Sequence, residues 1–317
     1  MRVIICDGKN LAFRFTWAYR TLSDEDGNPT GAVYGLFRML LGMKKEYPDA
    51  RFAFVWDGQR TSKNWRSVLF DGYKKRKGEI PKTVDDVLRQ IPKMEEALSY
   101  LGIPSIKVDD VEADDLAGMF STICLAKKWV PTICSSDMDY AQLLQYGVDL
   151  VRGDNRKLPF RLTRHREICD RFDCPIDRVL AVRAFIGDTS DKIPSPFRGA
   201  GKIAAKLIWA GYDPESPQCE RSPILSEVVT AKVAARVADN WKAVHRNYRL
   251  MRIVRSWRDP VYADKQDSIK EQLSIARDAV HTPMRVDIQR LTEFLTAGQY
   301  VSLLRERKRL VTLLTIV

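Results

Sequence analysis

Histidine is nearly missing from this 317-residue chain, which has only His165, His245 and His281. The six cysteines, Cys6, Cys124, Cys134, Cys169, Cys174 and Cys219, include no Cys-x-x-Cys pair. Zinc centres draw on clusters of those two residue types, so none is expected, and the thiols read as free and buried in a reducing compartment. No stretch reaches the roughly 18 unbroken apolar residues of a membrane span. Only Val3-Ile4-Ile5-Cys6 separates Arg2 from Asp7, too short for the apolar region of a secretory leader, so a cytoplasmic protein is expected. Repeats and low-complexity tracts are lacking as well. What is present is an ordinary globular composition, 45% hydrophobic and 29% charged, with enough apolar material for one large domain or two modest ones.

Acidic charge is in deficit. The chain has 52 Lys and Arg against 41 Asp and Glu, a formal net charge of +11. Residues 198–317 hold 21 basic and 13 acidic side chains, and segment 58–94 holds 10 and 4; the remainder is slightly acidic. A basic excess often serves only to solvate a face. Set as two basic surfaces around an acidic body, it also suits a polyanion.

Residues 2–6, 52–56 and 130–134 are short apolar runs rich in β-branched and aromatic side chains, and they read as buried strands. A fourth, short strand is expected at Ser105 to Val108. Helical spacing over Gly31 to Tyr47, Lys93 to Leu101 and Asp114 to Lys128 alternates with these runs, which implies an α/β fold with a mainly parallel sheet and helices on both faces. Ligands of such sheets sit beyond the carboxyl ends of the strands.

Acidic residues recur at those ends. Asp7 follows the first strand and Asp57 the second, Glu112-Ala-Asp114-Asp115 opens a helix after the third, and Asp137-Met-Asp139 follows the fourth. Asp188 and Asp191 lie in Gly187-Asp-Thr-Ser-Asp-Lys-Ile-Pro194. Each alone has the ordinary explanation of a helix cap or a turn residue. Gathered at one sheet edge they would repel strongly, and divalent cations relieve that. Oxygen donors without His or Cys favour Mg²⁺, with Mn²⁺ able to substitute. Two such ions suit in-line displacement at phosphate, so hydrolysis of a nucleic-acid phosphodiester is expected.

The motifs stand in a definite order: Asp7-Gly-Lys-Asn-Leu-Ala-Phe-Arg14, Gly31-Ala-Val-Tyr-Gly-Leu-Phe-Arg38, Val55-Trp-Asp57-Gly, Tyr73-Lys74, Val111-Glu-Ala-Asp-Asp115, Ser136-Asp-Met-Asp139 and Gly187-Asp-Thr-Ser-Asp191-Lys-Ile-Pro. In this order and at these separations they resemble the flap endonuclease or 5′ nuclease superfamily, in its bacteriophage and bacterial-polymerase-domain branch. The resemblance covers residues 1 to about 210. It implies a PIN-like nuclease domain over residues 1–185, with a helical arch at 58–94. A helix-three-turn-helix and a helical DNA-binding region would follow over 186–317.

The resemblance implies that Asp7, Asp57, Glu112, Asp114 and Asp115 surround one Mg²⁺ ion and that Asp137, Asp139, Asp188 and Asp191 complete a second region. Asp188 has the alternative role of capping the amides of its loop. Asp7, Asp115, Asp139 and Lys74 are the residues expected at the chemistry. Tyr73 is expected to stack on the terminal base of the substrate and Lys74 to set a cation against the scissile phosphate. The family often has Arg four residues after the Tyr; Lys77 stands there and Arg76 precedes it, so the phosphate grip is assigned to both.

The run Gly199-Ala-Gly201-Lys202-Ile-Ala-Ala-Lys206 looks like a dinucleotide fingerprint, yet Ile193-Pro-Ser-Pro-Phe197 before it cannot be the required central strand. A glycine turn opening a helix fits better, its free amides suiting a phosphate of duplex DNA. In the family this is the helix-three-turn-helix, commonly with K⁺ on turn carbonyls, and Lys202 and Lys206 would add contacts without sequence preference. Beyond about residue 215 the match fades. Arg236, Lys242, Arg246, Arg249, Arg252 and Arg255 form either a solvated helix face or an added grip on duplex. The run Arg305-Glu-Arg-Lys-Arg309 reads the same two ways.

The resemblance thus implies a monomeric, Mg²⁺-dependent, structure-specific 5′ nuclease of a bacterial or phage-infected cytoplasm. It would act on flaps, nicks, gaps or RNA-DNA hybrids in replication or repair, beside replication proteins. Two rivals remain at this point: a DNA-binding relative that keeps the fold without the chemistry, and an Asp-dependent phosphatase using Asp137-Met-Asp139. The second lacks the Thr or Val expected two residues on, where Ala141 stands.

Overall fold

Strands form where the apolar runs lie. The computed structural model describes residues 1–61, 64–75, 78–153, 160–216 and 224–315. In it β1 (Arg2–Asp7), β2 (Arg51–Val55), β3 (Ser105–Ile106) and β4 (Val130–Cys134) occupy the four expected segments. Two further strands, β5 (Asp149–Gly153) and β6 (Phe160–Leu162), extend the sheet. Its order is β3-β2-β1-β4-β5-β6, parallel from β3 to β5 and antiparallel at β6. Val3, Ile5, Ala53 and Val55 face one core layer, while Ile4, Cys6, Phe52 and Phe54 face the other. Because side chains alternate along a strand, one covered on both faces has to be apolar throughout, and this is why these runs are unbroken.

The layer on Ile4 and Cys6 is built from α1 (Gly8–Ala18), α2 (Gly31–Glu46) and α4 (Lys82–Tyr100), with the short α3 (Trp65–Leu69) lying between α2 and α4 in the chain. The expected helix at Lys93 begins eleven residues earlier, at Lys82, and runs through Pro92. Val87, Met94, Ala97 and Leu98 bury along it, and packing of that stripe holds one helix across the missing proline N–H. Segment 58–94, where the arch is expected, therefore contains α3 and about the first two thirds of α4.

The opposite layer holds α5 (Ala113–Ala126), a 3-10 segment at Met138–Tyr146, α6 (His165–Phe172), α7 (Val179–Ile186), α8 (Ala200–Trp209), α9 (Ile224–Val228), α10 (Ala231–Asp239), α11 (Trp241–Met251) and α12 (Gln266–His281). The chain then returns to the first face with α13 (Ile288–Ala297) and α14 (Val301–Thr315), burying Leu291, Leu295 and Leu303 beside Leu36 and Leu40. Both core layers thus contain residues from either side of the expected boundary at 185/186, so packing is continuous across it. Among the described residues no helix is long and apolar enough to cross a membrane.

The chain runs outward from β1 to β2 and β3, then comes back to place β4 on the other flank of β1. The crevice of such a sheet opens where the order reverses, beyond the carboxyl ends of β1 and β4. Asp7 and Asp137 stand on either side of it.

Candidate active site

Asp7 closes β1 and caps α1, accepting the Asn10 amide at 3.1 Å. Ser135 Oγ at 3.1 Å and the Tyr140 hydroxyl at 3.3 Å donate to its other oxygen. Asp57, just past β2, accepts the Ala113 amide on Oδ1 at 3.1 Å and the Lys9 ammonium on Oδ2 at 2.7 Å. A side chain on Gly58 would overlap the Val108 carbonyl, so glycine is what lets the chain press against the end of β3.

Glu112, at the N-cap of α5, is 5% exposed. One of its oxygens accepts Asn64 Nδ2 at 2.8 Å; the other accepts the Tyr73 hydroxyl at 2.8 Å and the Lys74 ammonium at 3.0 Å. Asp114 lies in the first turn of α5, 3.8 Å from Arg66.

On the β4 side, Asp137 caps the 3-10 segment by accepting the Asp139 amide at 2.9 Å. The Arg183 guanidinium of α7 lies against Asp139 and, at 2.8 Å, against Asp188. Asp188 also accepts the amides of Ser190 (2.8 Å) and Asp191 (3.3 Å), which is the loop-capping arrangement. Asp191 meets the Tyr73 hydroxyl at 3.2 Å and the Lys74 ammonium at 3.5 Å. The dipeptide Tyr73-Lys74 therefore bridges the two halves of the acidic edge. Lys74 itself has φ +48°, a conformation rare outside glycine, and its amide donates to the Asp191 carbonyl at 2.9 Å.

Burial and mutual repulsion set the proton affinities. Burial, with Asp57 and Asp137 adding to it, pushes the Asp7 carboxyl up to about 7. Burial together with Asp137, Asp188 and Asp191 takes Asp139 to about 7 against the pull of Arg183. Burial raises Asp114 and Asp191 as well. Asp57 goes the other way: burial works to raise it, but the Lys9 and Lys74 ammoniums hold it at about 2. Glu112 is lowered by Arg66 and Lys74 in spite of its burial. Eight carboxylates, Asp7, Asp57, Glu112, Asp114, Asp137, Asp139, Asp188 and Asp191, thus lie within one another's fields at this edge.

The family model of the 5′-3′ exonuclease N-terminal resolvase-like domain matches residues 2–173, which is more than half of the chain. The chain belongs to the 5′-3′ exonuclease family. It is 31% identical over 209 residues to DNA polymerase I of Pseudomonas aeruginosa, covering 66% of this chain and 22% of the polymerase. It is 28% identical over 205 residues to the 5′-3′ exonuclease of Buchnera aphidicola subsp. Baizongia pistaciae, covering 65% of each. The matched part thus spans about a fifth of the polymerase and under two thirds of the exonuclease. In fold it is similar to the T5 D15 protein, with a TM-score of 0.67 at 17% identity over 88% of this chain and 100% of that one. Membership of the exonuclease family sets the phosphatase reading aside.

Measured against the site expected of a 5′-3′ exonuclease, two residues are placed otherwise. Asp115 is fully buried, and its oxygens are taken by Arg66, the Val254 amide and the Tyr262 hydroxyl, so it is not offered to a metal ion or to substrate. Tyr73 is 3% exposed and packs with Leu180, Ile193, Leu250 and Met251, so its ring has no face free for a base. It holds Glu112 and Asp191 through its hydroxyl instead. Arg76 and Lys77 lie outside the described residues. Gly199, with φ +89°, opens α8, and Gly201, Lys202 and Lys206 are exposed along that helix. The loop that carries Asp188 and Asp191 leads directly into this turn.

Sequence reasoning passed over Lys9, Asn64, Arg66, Ser135, Tyr140 and Arg183. Lys9 lies inside the Asp7-Gly-Lys-Asn motif and Arg66 inside the basic segment 58–94, where charge alone makes it one cation among many. Arg183 stands on an otherwise apolar helix, and that isolation was the available signal.

Among the described residues no three Asp, Glu, His or Cys side chains converge closely enough to hold a metal ion; ammonium and guanidinium groups stand between the carboxylates. The donor set nonetheless fits a hard divalent cation. It consists of carboxylates, several of them buried beside like charges, with no imidazole or thiolate available to select zinc.

Proposed function

We propose that this protein is a metal-dependent 5′ nuclease that hydrolyses phosphodiesters near the 5′ end of DNA strands at flaps, nicks, gaps or RNA primers, in replication or repair. The observation that carries this is the acidic edge bridged by Tyr73 and Lys74, in a chain of the 5′-3′ exonuclease family. The T5 D15 flap endonuclease, which shares the fold, was crystallised with DNA and metal ions.

Asp7, Asp57, Glu112, Asp114, Asp137, Asp139 and Asp191 would hold two Mg²⁺ ions, or Mn²⁺ in their place, with Asp188 shaping the loop beside them. Bound there, the ions supply polarisation of the phosphate and a water of lowered pKa. Lys74, 31% exposed and charged, is the cation that meets the scissile phosphate. Tyr73 and Asn64 orient Glu112 by hydrogen bonds. The amides at Gly199 and the ammoniums of Lys202 and Lys206 grip the duplex by its backbone, with K⁺ on the turn carbonyls. The protein acts as a monomer in the cytoplasm, alongside replication proteins.

The test is cleavage of a 5′-labelled flap duplex, with single-stranded and blunt controls, under Mg²⁺, Ca²⁺ or EDTA, for wild type and Asp139→Asn. Cutting near the junction with Mg²⁺ alone, lost in the variant while salt-sensitive binding persists, is expected. Tight binding without any cleavage would point to a DNA-binding relative that lacks the chemistry.

A further inference from the structure

Lys9 is the second residue of α1, in the turn where the peptide dipoles already present positive charge, and an ammonium is disfavoured there. Within the first turn of α1 no acidic residue offsets it, and the N-cap carboxylate of Asp7 is engaged by the Asn10 amide, Ser135 and Tyr140 instead. The partner of Lys9 comes from elsewhere in the chain: Asp57 Oδ2 at 2.7 Å, with the two side chains 42% and 36% exposed. Asp57 Oδ1 already accepts the Ala113 amide, so Lys9 occupies the oxygen that an incoming cation would use. Lys74, by contrast, is engaged by Glu112 and Asp191.

We propose that Lys9 is an internal counter-cation that competes with the divalent ion for Asp57 Oδ2 and thereby sets the metal concentration at which the site fills. This rests on the reading of Asp57 as a metal-holding residue. Lys9 is a positioning residue, since it acts through Asp57. Once displaced, its ammonium stands at the ends of β1 and β2, where a phosphodiester anion is the replacement partner its charge would take.

The experiment is calorimetric titration with Mg²⁺ and with Ca²⁺, without DNA, of the wild type, Lys9→Ser and Lys9→Arg, and of Lys9→Ser in an Asp57→Asn background. Lys9→Ser is expected to bind the ion about two- to fivefold more tightly, the order of effect of one partly exposed ion pair. Lys9→Arg keeps the cation and should stay near wild type. In the Asp57→Asn background Lys9→Ser should change nothing, because the two residues act as one unit. A merely structural Lys9 would lower Tm and leave metal affinity unchanged or weaker; that result overturns the proposal, as does equal tightening with Asp57 replaced. A wild type that takes up no divalent ion overturns both this role and the metal-dependent function.

Discussion

Arg66 on α3 and Asp115 on α5 form a two-point ion pair, at 2.7 and 2.9 Å, with side chains 1% and 0% exposed. Arg66 also donates to the carbonyls of Leu250 (2.8 Å) and Arg252 (2.9 Å), and Asp115 accepts the Val254 amide at 2.7 Å. A buried pair is tolerated only when its remaining donors and acceptors are satisfied in this way. It joins α3, α5 and the chain leaving α11.

Replacing one partner should therefore act on folding. Arg66→Ala leaves Asp115 buried and unpaired, and urea unfolding should show a loss of about 3–5 kcal/mol. Asp115→Asn should also destabilise, while the folded protein retains Mg²⁺ affinity in calorimetry. A variant of normal stability that no longer binds Mg²⁺ would return Asp115 to the ligands.

Tyr73→Phe keeps the buried ring and removes only the hydroxyl that Glu112 and Asp191 share. Cleavage is expected to fall by about tenfold with a stability loss of about 1 kcal/mol, and affinity for a 5′ end should stay at the wild-type level. Weakened 5′-end binding with cleavage of bound substrate intact would favour base stacking after all.

Metal and protons compete for the same oxygens. Asp7 and Asp139 titrate near about 7 in the fold, against an ordinary 3.8, so between those values the folded chain holds protons that the unfolded chain has released. Their contribution is full below pH 3.8 and is lost as pH rises to about 7. Asp57, held at about 2, acts oppositely and contributes stability that fades only below pH 3.8. With EDTA, Tm should decline from pH 5 to pH 7.5, and saturating Mg²⁺ should flatten that decline. Mg²⁺ affinity should rise over the same interval. A metal-free Tm that climbs toward neutrality would contradict these proton affinities.

Lys202→Ala with Lys206→Ala should weaken binding equally for all duplex sequences. A plot of log affinity against log salt should lose about two from its slope if both ammoniums meet phosphates, at about 0.9 per contact. An unchanged slope would place the duplex elsewhere, with the exposed Arg236, Lys242 and Arg249 of α10 and α11 the next surface to test.

Much of the fold was legible because a strand covered on both faces leaves a short run of Val, Ile and Phe that little else produces. The edge strand β6 left no such signature, since Arg161 and Leu162 are exposed. Helix α4 was misjudged at its start because a proline reads as a boundary when considered locally, whereas Val87 and Met94 pack on one stripe across it.

Sequence alone was enough to place β1 to β4, the helices between them, and the return of a carboxylate after each of those four strands, since strand direction carries those residues to one edge. Which of them face the crevice was decided only in three dimensions. Neighbours on a helix point about 100° apart, so Asp114 keeps 22% of its side chain exposed and meets Arg66 only at 3.8 Å, while Asp115 is fully buried against Arg66 at 2.7 Å. In the same way Lys9 reaches Asp57 and Arg183 reaches Asp139 across folded distance, and no local pattern specifies which cation a carboxylate will meet.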